Sequence, residues 1–413
     1  MGERKKVSLT TKIFIALILG VITGLSLHPM KENIFVDKYL LNFIFAFLGN
    51  GFVRAIRMVV VPLVLCSLVM GSAGIEDVTK LGRIGIKTLA FYLTTTAFAV
   101  VLALVGGNII NPGKGVNLQD LSQVAVSTPE TKPFVEILLD MIPLNPIEAL
   151  ATGNMLQIIV FAILLGVALS LLGEKASNIK KLFEEGNAVS LKLVELIMKL
   201  APFGVYGLIA KTFTTLGYVA LIPLFKYFMG VVIILMLHCL ITYQGILILL
   251  GRYNPIKFFK GFAPTMMVGF STASSSACLP SSLKTVQETF GISKTISSFT
   301  IPLGNTINMD GTAVMQGIAT IFIAQIYGKD LTLAHYVSII LTATLASIGT
   351  AGVPGVGVIM LGMVLVQVGL PLEGIGLVMG IDRFVDMFRT MINVTGDAVC
   401  TMVIAKTEGE QLK

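Results

Sequence analysis

Apolar residues fill this chain in runs of roughly 20 or more, long enough for a helix to cross a ~30 Å hydrocarbon core. The pattern predicts helices over about 12–29, 40–72, 84–110, 147–172, 188–220 and 223–250. These runs are continuous and lack the ten-residue alternation of a membrane barrel, so the expected class is all-α and polytopic. After Lys260 the texture changes. Gly, Pro, Ser, Thr and Asn cluster inside apolar segments at Gly269–Ser276 with Leu279-Pro280, at Gly304–Thr312, at Ser347–Gly357 and at Asn393–Asp397. Backbone that unwinds at membrane depth must be buried in protein or line a cavity, because lipid offers it no hydrogen bonds. The segment after Lys260 is therefore where a functional site is expected.

An internal repeat points the same way. Ile307-Asn308-Met309-Asp310-Gly311-Thr312 and Ile392-Asn393-Val394-Thr395-Gly396-Asp397 share the pattern I-N-x-x-G-x. Each copy follows an apolar, Ser/Thr/Gly-rich hairpin candidate, 257–289 and 333–369, with an x-Pro near its tip (Leu279-Pro280, Val353-Pro354). Neither tip carries charge, so each hairpin is expected to dip into the membrane and return. Paired broken segments of this kind mark the binding site of a carrier.

Composition and charge narrow the class. Only 13% of residues are charged against 55% hydrophobic, where a soluble chain carries about 25% charged. The net charge of +7 lies in short loops: Arg4, Lys5, Lys6; Lys80, Arg83, Lys87; Lys175, Lys180, Lys181; Arg252, Lys257, Lys260. That distribution sets topology, with the amino terminus and loops 76–87, 174–186 and 252–260 on the cytoplasmic side. It leaves no soluble basic face for nucleic acid. Cys66, Cys239, Cys278 and Cys400 are dispersed without CxxC spacing, and the three histidines show no paired spacing, so neither disulfide nor transition metal is expected. The apolar run 13–27 follows a basic stretch but no cleavage signal follows it, and it is read as a retained first helix.

The final apolar segment holds Asp382, Asp386, Arg389, Thr390, Asn393 and Asp397. At helical pitch these six fall on one arc of about 100°. A charge near mid-bilayer costs about 3 kcal/mol unless it meets a partner or water. One reading is an internal ion-pair stripe, with Asp382 and Asp386 compensating Arg389 at i, i+3 and i+4 spacing. The other is a substrate cradle in which Asp386 takes an ammonium and the planar fork of Arg389 takes a carboxylate. Ser274-Ser275-Ser276 either cap a turn or offer donors to a carboxylate. Asn308 with Asp310, and Asn393 with Asp397, offer hard oxygen ligands that suit Na⁺, beside backbone expected to be unwound.

These residues resemble the glutamate transporter family of dicarboxylate/amino acid:cation symporters. The resemblance rests on N-M-D-G-T (308–312), the triple serine, A-S-I-G-T-A-G-V-P-G (346–355) and D-M-F-R-T-M-I-N-V-T-G-D (386–397), in that family's order. It implies eight transmembrane helices plus two re-entrant helical hairpins, inverted repeats, and an elevator-type homotrimer in the cell membrane with both termini cytoplasmic. Scaffold helices would occupy 1–75 and 113–221, and the transport domain 76–112 and 222–413. It implies L-aspartate or L-glutamate as substrate, held by Ser275, Ser276, Thr312, Val353, Asp386, Arg389, Thr390 and Asn393. Na⁺ would be the co-transported ion at up to three sites, with no organic cofactor. One site would use Gly304, Asn308, Asn393 and Asp397, and another Thr306, Ser347, Ile348 and Thr350. The third would use Tyr92, Thr95, Thr96, Asn308 and Asp310.

Two departures from the family pattern stand out. Some relatives carry Arg where this chain has Ala273, and Arg383, at the edge of the polar stripe, is expected to take over that charge. Animal relatives carry Glu where this chain has Gln316, which argues against their route for protons and potassium. Proton coupling and C4-dicarboxylate transport remain the alternatives within the family. An enzyme is not expected: an intramembrane protease would need a carboxylate dyad or a serine with a base in reach, and no GxGD or GxSxG motif surrounds Asp310, Asp386 or Ser275.

Overall fold

In a computed structural model of the protein, the structure describes residues 9–73, 80–114, 139, 142–347 and 356–413. Among these residues every regular element is a helix and no strand occurs. Helix α1 (Leu9–Leu27) ends in a 3₁₀ turn, and a π-helical stretch (Val36–Phe45) leads into α2 (Ala46–Ala73). Helices α3 (Lys80–Ile110), α4 (Pro146–Thr152), α5 (Met155–Leu172), α6 (Ser177–Met198) and α7 (Ala201–Leu216) follow. Helix α8 (Leu221–Leu237) continues through two π-helical stretches, His238–Tyr243 and Leu247–Gly251. The rest comprises α9 (Pro255–Thr272), α10 (Ser275–Lys284), α11 (Lys294–Ile307), α12 (Asp310–Ile326), α13 (Leu333–Ser347), α14 (Val356–Gln367) and α15 (Ile375–Thr407).

Four helical stretches among the described residues are long and apolar enough to cross a membrane: Thr11–Met30, Arg83–Ile110, Gln157–Ile197 and Leu221–Gly251. The sequence pattern predicts six crossings in the same region. Within the run 40–72, the described residues give the shorter apolar stretch Val61–Met70, inside α2. The run 188–220 is divided between α6 and α7 at Lys199-Leu200, and its first part joins the stretch that begins at Gln157.

The first hairpin candidate folds as two packed helices, with the turn at Ala273-Ser274 and Leu279-Pro280 inside the second helix and not at the expected tip. Asn254 caps α9 by accepting from the Ile256 amide (2.8 Å), with Pro255 at the first helical position where a missing N–H costs nothing. At the tip Ala273 turns the chain in the left-handed region (φ 48°), and Ser274 caps α10 by accepting from the Ala277 amide. The arms are tied by Thr265, whose hydroxyl meets those of Ser281 (2.8 Å) and Thr285 (2.9 Å). Helices α13 and α14 pack on each other as the second hairpin requires; its expected tip, with Ile348, Thr350 and Val353, lies outside the described residues.

The two repeat copies differ. The first is broken: Asn308 is extended (φ −84°, ψ 92°) between α11 and α12. The second is not, because α15 runs unbroken through Asn393–Asp397, which corrects the expectation of unwound backbone there. Hydroxyls along α15 bond back to the preceding turn. Thr395 donates to the Met391 carbonyl (2.7 Å) and Thr401 to the Asp397 carbonyl (2.7 Å).

Helices α12 and α14 and the second half of α15 are buried almost throughout and form the centre of the molecule. The start of α3 is tied to the end of α15 by Lys87–Glu408 (2.7 Å) and by Arg83–Glu408. These two cations, Arg83 first, hold the Glu408 carboxyl below the usual carboxylate range, so the tie is present near neutrality and lost as acid protonates the folded group.

Lipid gives helices no hydrophobic drive to associate, so close van der Waals approach at small residues carries the packing. Gly20 and Gly24 of α1 rest on α7 in this way: a Cβ at Gly24 would lie 2.8 Å from the Ala210 carbonyl and 3.0 Å from the Thr214 amide. Backbone atoms cannot give way as a side-chain end can. Gly24→Val is therefore expected to cost about 1–3 kcal/mol, read as a lower unfolding temperature of the purified protein in detergent; an unchanged temperature would show that the two helices part without cost.

Candidate functional site

The polar stripe expected on the last helix is present and buried. Asp382, Asp386, Arg389, Thr390, Asn393 and Asp397 of α15 all turn inward. Asp382, Asp386 and Arg389 pair with one another and with Arg383 at the edge of the stripe. Arg389 Nη2 donates to Asp386 Oδ1 at 2.5 Å, and Arg389 Nη1 stands 3.3 Å from Asp382 Oδ1. Arg383 Nη1 is 3.5 Å from Asp386 Oδ2, while its Nη2 donates to the Thr272 carbonyl (3.4 Å) at the end of α9. Arg383 thus links the stripe to the first hairpin, close to Ala273.

Pairing does not exhaust Arg389. The side chain is 2% exposed, yet among the described residues Nε and Nη1 have no hydrogen-bond acceptor. Buried donors are rarely left unmade, since each costs about 1–3 kcal/mol. The guanidinium also faces the second hairpin: a Cβ at Gly357 of α14 would come within 2.6 Å of Nη1. A planar fork with spare donors, beside a carboxylate, can receive an anion on one side and release a carboxylate to a cation on the other.

The other residues expected to hold substrate are spread over neighbouring elements. Ser275, buried, and Ser276, exposed, form the first turn of α10, where Ser276 Oγ accepts from Asn305 Nδ2 (3.3 Å). Thr312 lies buried in the first turn of α12, its hydroxyl 3.9 Å from Met309 Sδ. Thr390 and Asn393 flank Arg389 on α15, and Asn393 Oδ1 accepts from the Gly311 amide (2.8 Å). The stripe and the break before α12 are therefore joined directly.

The first expected cation group is assembled. Asn308 Nδ2 donates both to Asp397 Oδ1 (2.9 Å) and to the Asn393 carbonyl (2.9 Å). Asn308 Oδ1 is buried with no partner among the described residues. Gly304 borders the same point: a Cβ there would meet Asp397 Oδ1 and the Tyr92 hydroxyl, with Asp397 Cγ at 2.8 Å. In the third group, Asp310 accepts from Thr96 Oγ1. The Tyr92 hydroxyl donates to the Thr300 carbonyl (3.2 Å) and borders Gly304 and Asp397. Thr95 bonds the Tyr92 carbonyl (3.1 Å) within α3. The second group is not joined among the described residues. Thr306 bonds the Pro302 carbonyl (3.3 Å) and Ser347 the Thr344 carbonyl (2.7 Å), each within its own helix.

Two neighbours of Asp310 escape a reading of the sequence. His238 Nε2 lies 3.0 Å from Asp310 Oδ2, and the Tyr243 hydroxyl donates to the same oxygen at 2.9 Å. A signal for His238 exists, since an ionisable side chain inside the apolar run 223–250 is a functional candidate by default. Tyr243 carries none. Neither Asp310 nor Asp397 has a Lys or Arg within ion-pair distance among the described residues, so two buried carboxylates have no resident cation.

The chain matches the Sodium:dicarboxylate symporter family over residues 9–407. It is 36% identical to the Proton/sodium-glutamate symport protein of Geobacillus stearothermophilus, over 98% of this chain and 96% of that one. It is 34% identical to the Proton/glutamate-aspartate symporter of Escherichia coli (strain K12), over 98% and 93%. The C4-dicarboxylate transport protein of Bacillus subtilis (strain 168) shares 32% identity over 98% and 94%. These relatives are transporters and not enzymes, and with its long apolar helices this is a multi-pass membrane protein. Near-complete coverage, together with the buried stripe on α15 and the broken repeat before α12, places the chain in the sodium:dicarboxylate symporter family.

Proposed function

We propose that the protein is a secondary symporter that carries L-aspartate or L-glutamate across the cell membrane, driven by the Na⁺ gradient. The observation that carries this reading is Arg389: a buried guanidinium with two donor positions unused among the described residues, held beside Asp386. An acidic amino acid meets both residues at once. Its side-chain carboxylate takes the fork of Arg389, its ammonium takes Asp386, and the Asp386–Arg389 pair opens to receive them. Asp382 remains against Arg389 and keeps the guanidinium in place. Donors at Ser275, Ser276, Thr312, Thr390 and Asn393 would complete the cradle around the α-carboxylate, with Val353 closing it from the second hairpin.

Coupling follows from charge. Asp310 and Asp397 are buried without a basic partner, and a desolvated carboxylate is costly until a cation joins it. Asn308 Oδ1, unpaired beside Asp397, supplies the hard oxygen that Na⁺ prefers. Two sites, at Gly304–Asn308–Asn393–Asp397 and at Thr96–Asn308–Asp310 with Tyr92 and Thr95, belong to this reading, and a third uses Thr306, Ser347, Ile348 and Thr350. Eight spans, two re-entrant hairpins and an elevator movement of 76–112 and 222–413 against a trimeric scaffold (1–75 and 113–221), with both termini cytoplasmic, complete the proposal. Proton-driven uptake and C4-dicarboxylate transport are the second reading, favoured by the names of the relatives in Escherichia coli and Bacillus subtilis.

Uptake of radiolabelled L-aspartate into proteoliposomes separates the two. Accumulation under an inward Na⁺ gradient is expected. Accumulation under a proton gradient alone would keep the substrate and replace the ion, and succinate uptake without aspartate uptake would replace the substrate. In the same assay Arg389→Ala is expected to weaken aspartate by at least about tenfold, and equal affinity would remove Arg389 from its role. Asp386→Asn is expected to weaken aspartate far more than succinate. Gly304→Ala is expected to raise the Na⁺ requirement by pushing on Asp397 and Tyr92, with the unchanged requirement as the outcome against it.

A further inference from the structure

We infer that the π-helical turn His238–Tyr243 is part of the cation site, and that His238 and Tyr243 act as positioning residues clamping Asp310 Oδ2 so that Oδ1 faces the ion. The inference deepens the symporter reading and rests on it. Both side chains reach one oxygen of one carboxylate, His238 Nε2 at 3.0 Å and the Tyr243 hydroxyl at 2.9 Å. They are fully buried, as is Asp310, and their rings meet edge to face at 4.6 Å.

The turn makes this convergence possible. His238 and Tyr243 are five residues apart. In an α-helix, at 100° per residue, they would lie about 140° apart around the axis and could not share an acceptor. Bonding from i to i+5 widens the turn and brings residues five apart onto one face. The stretch His238–Tyr243 has that geometry, with Tyr243 the last residue of the turn. A π turn costs hydrogen-bond quality, and such turns are retained mostly where a site needs them. Here it delivers two donors to a carboxylate that no Lys or Arg neutralises.

The donor count supports a positioning role. An ionised carboxylate accepts at about four positions. His238 and Tyr243 take two on Oδ2, and Thr96 takes one on Oδ1. What remains lies on Oδ1, on the side of α3 that supplies Thr96. With the carboxylate as acceptor, His238 donates from Nε2–H, and its buried Nδ1 has no partner among the described residues. No Lys or Arg among the described residues pairs with Asp310, which leaves the carboxylate available to a mobile cation. Donors of this kind behind a ligand commonly change metal affinity by about 10–100-fold when removed.

The test is thermal unfolding of the full-length purified protein across an Na⁺ titration, without substrate, followed by aspartate affinity at saturating Na⁺. For His238→Leu and Tyr243→Phe the Na⁺ concentration for half-maximal stabilisation is expected to rise about tenfold, with aspartate affinity at saturating Na⁺ little changed. His238→Gln, whose amide nitrogen reaches the same oxygen, is expected to recover most of the loss. Tyr243→Phe removes one oxygen only and keeps the test open if His238→Leu does not accumulate. Variants that unfold earlier without Na⁺ yet keep the wild-type Na⁺ midpoint would overturn the inference and leave His238 and Tyr243 as packing. A wild type whose unfolding ignores Na⁺ would instead overturn the sodium reading, and this inference with it.

Discussion

A carboxylate at membrane depth has no water to fall back on, and that constraint organises the centre of this protein. Asp310 and Asp397 are buried with no basic side chain to neutralise them. Every element around them supplies something in compensation. The break between α11 and α12 releases Asn308 to bond Asp397 and the Asn393 carbonyl. The amide of Gly311 reaches back to Asn393. Helix α3 sends Thr96 to Asp310, and the π turn after α8 sends His238 and Tyr243. Four separate segments of the chain are held in register by two acidic groups that would otherwise be intolerable there.

The stripe on α15 obeys a different rule. Asp382, Asp386, Arg383 and Arg389 pair within a single helix, helped by i, i+3 spacing, with donors of Arg389 left over among the described residues. Arg383 also reaches the Thr272 carbonyl. Asn393, on the same helix, joins the break before α12: its side-chain amide bonds both the Met309 sulfur (3.2 Å) and the Gly311 amide.

Much of this was legible in the sequence, for identifiable reasons. Apolar length reports helices directly, and the triple serine reports the turn of the first hairpin because caps act locally, whereas Pro280 falls inside α10. The arc of Asp382, Asp386, Arg389, Asn393 and Asp397 reports a buried face because helical periodicity is regular. Where sequence reading fails, the cause is non-local. Asn393–Asp397 shares the I-N-x-x-G-x pattern of the broken repeat yet stays helical, so the short pattern does not by itself fix the backbone. The Tyr92 hydroxyl turns to the Thr300 carbonyl and borders Asp397, which depends on how α3 packs. Tyr243 is invisible to a periodicity of 3.6, because the turn that aims it has a different pitch.

The pairing of Asp386 with Arg389 has a consequence for the protein when it carries nothing. Left open, two opposite charges at this depth would each demand hydration, and water drawn to them would open a path for ions. Closed on each other, they present a nearly dipolar, dehydrated surface that low-dielectric surroundings tolerate. Only a molecule that brings both signs of charge, suitably spaced, can replace that contact without a penalty. If these two side chains hold the substrate as proposed, an idle site would be closed by its own recognition groups, and selectivity and insulation against leakage would be one property of the pair.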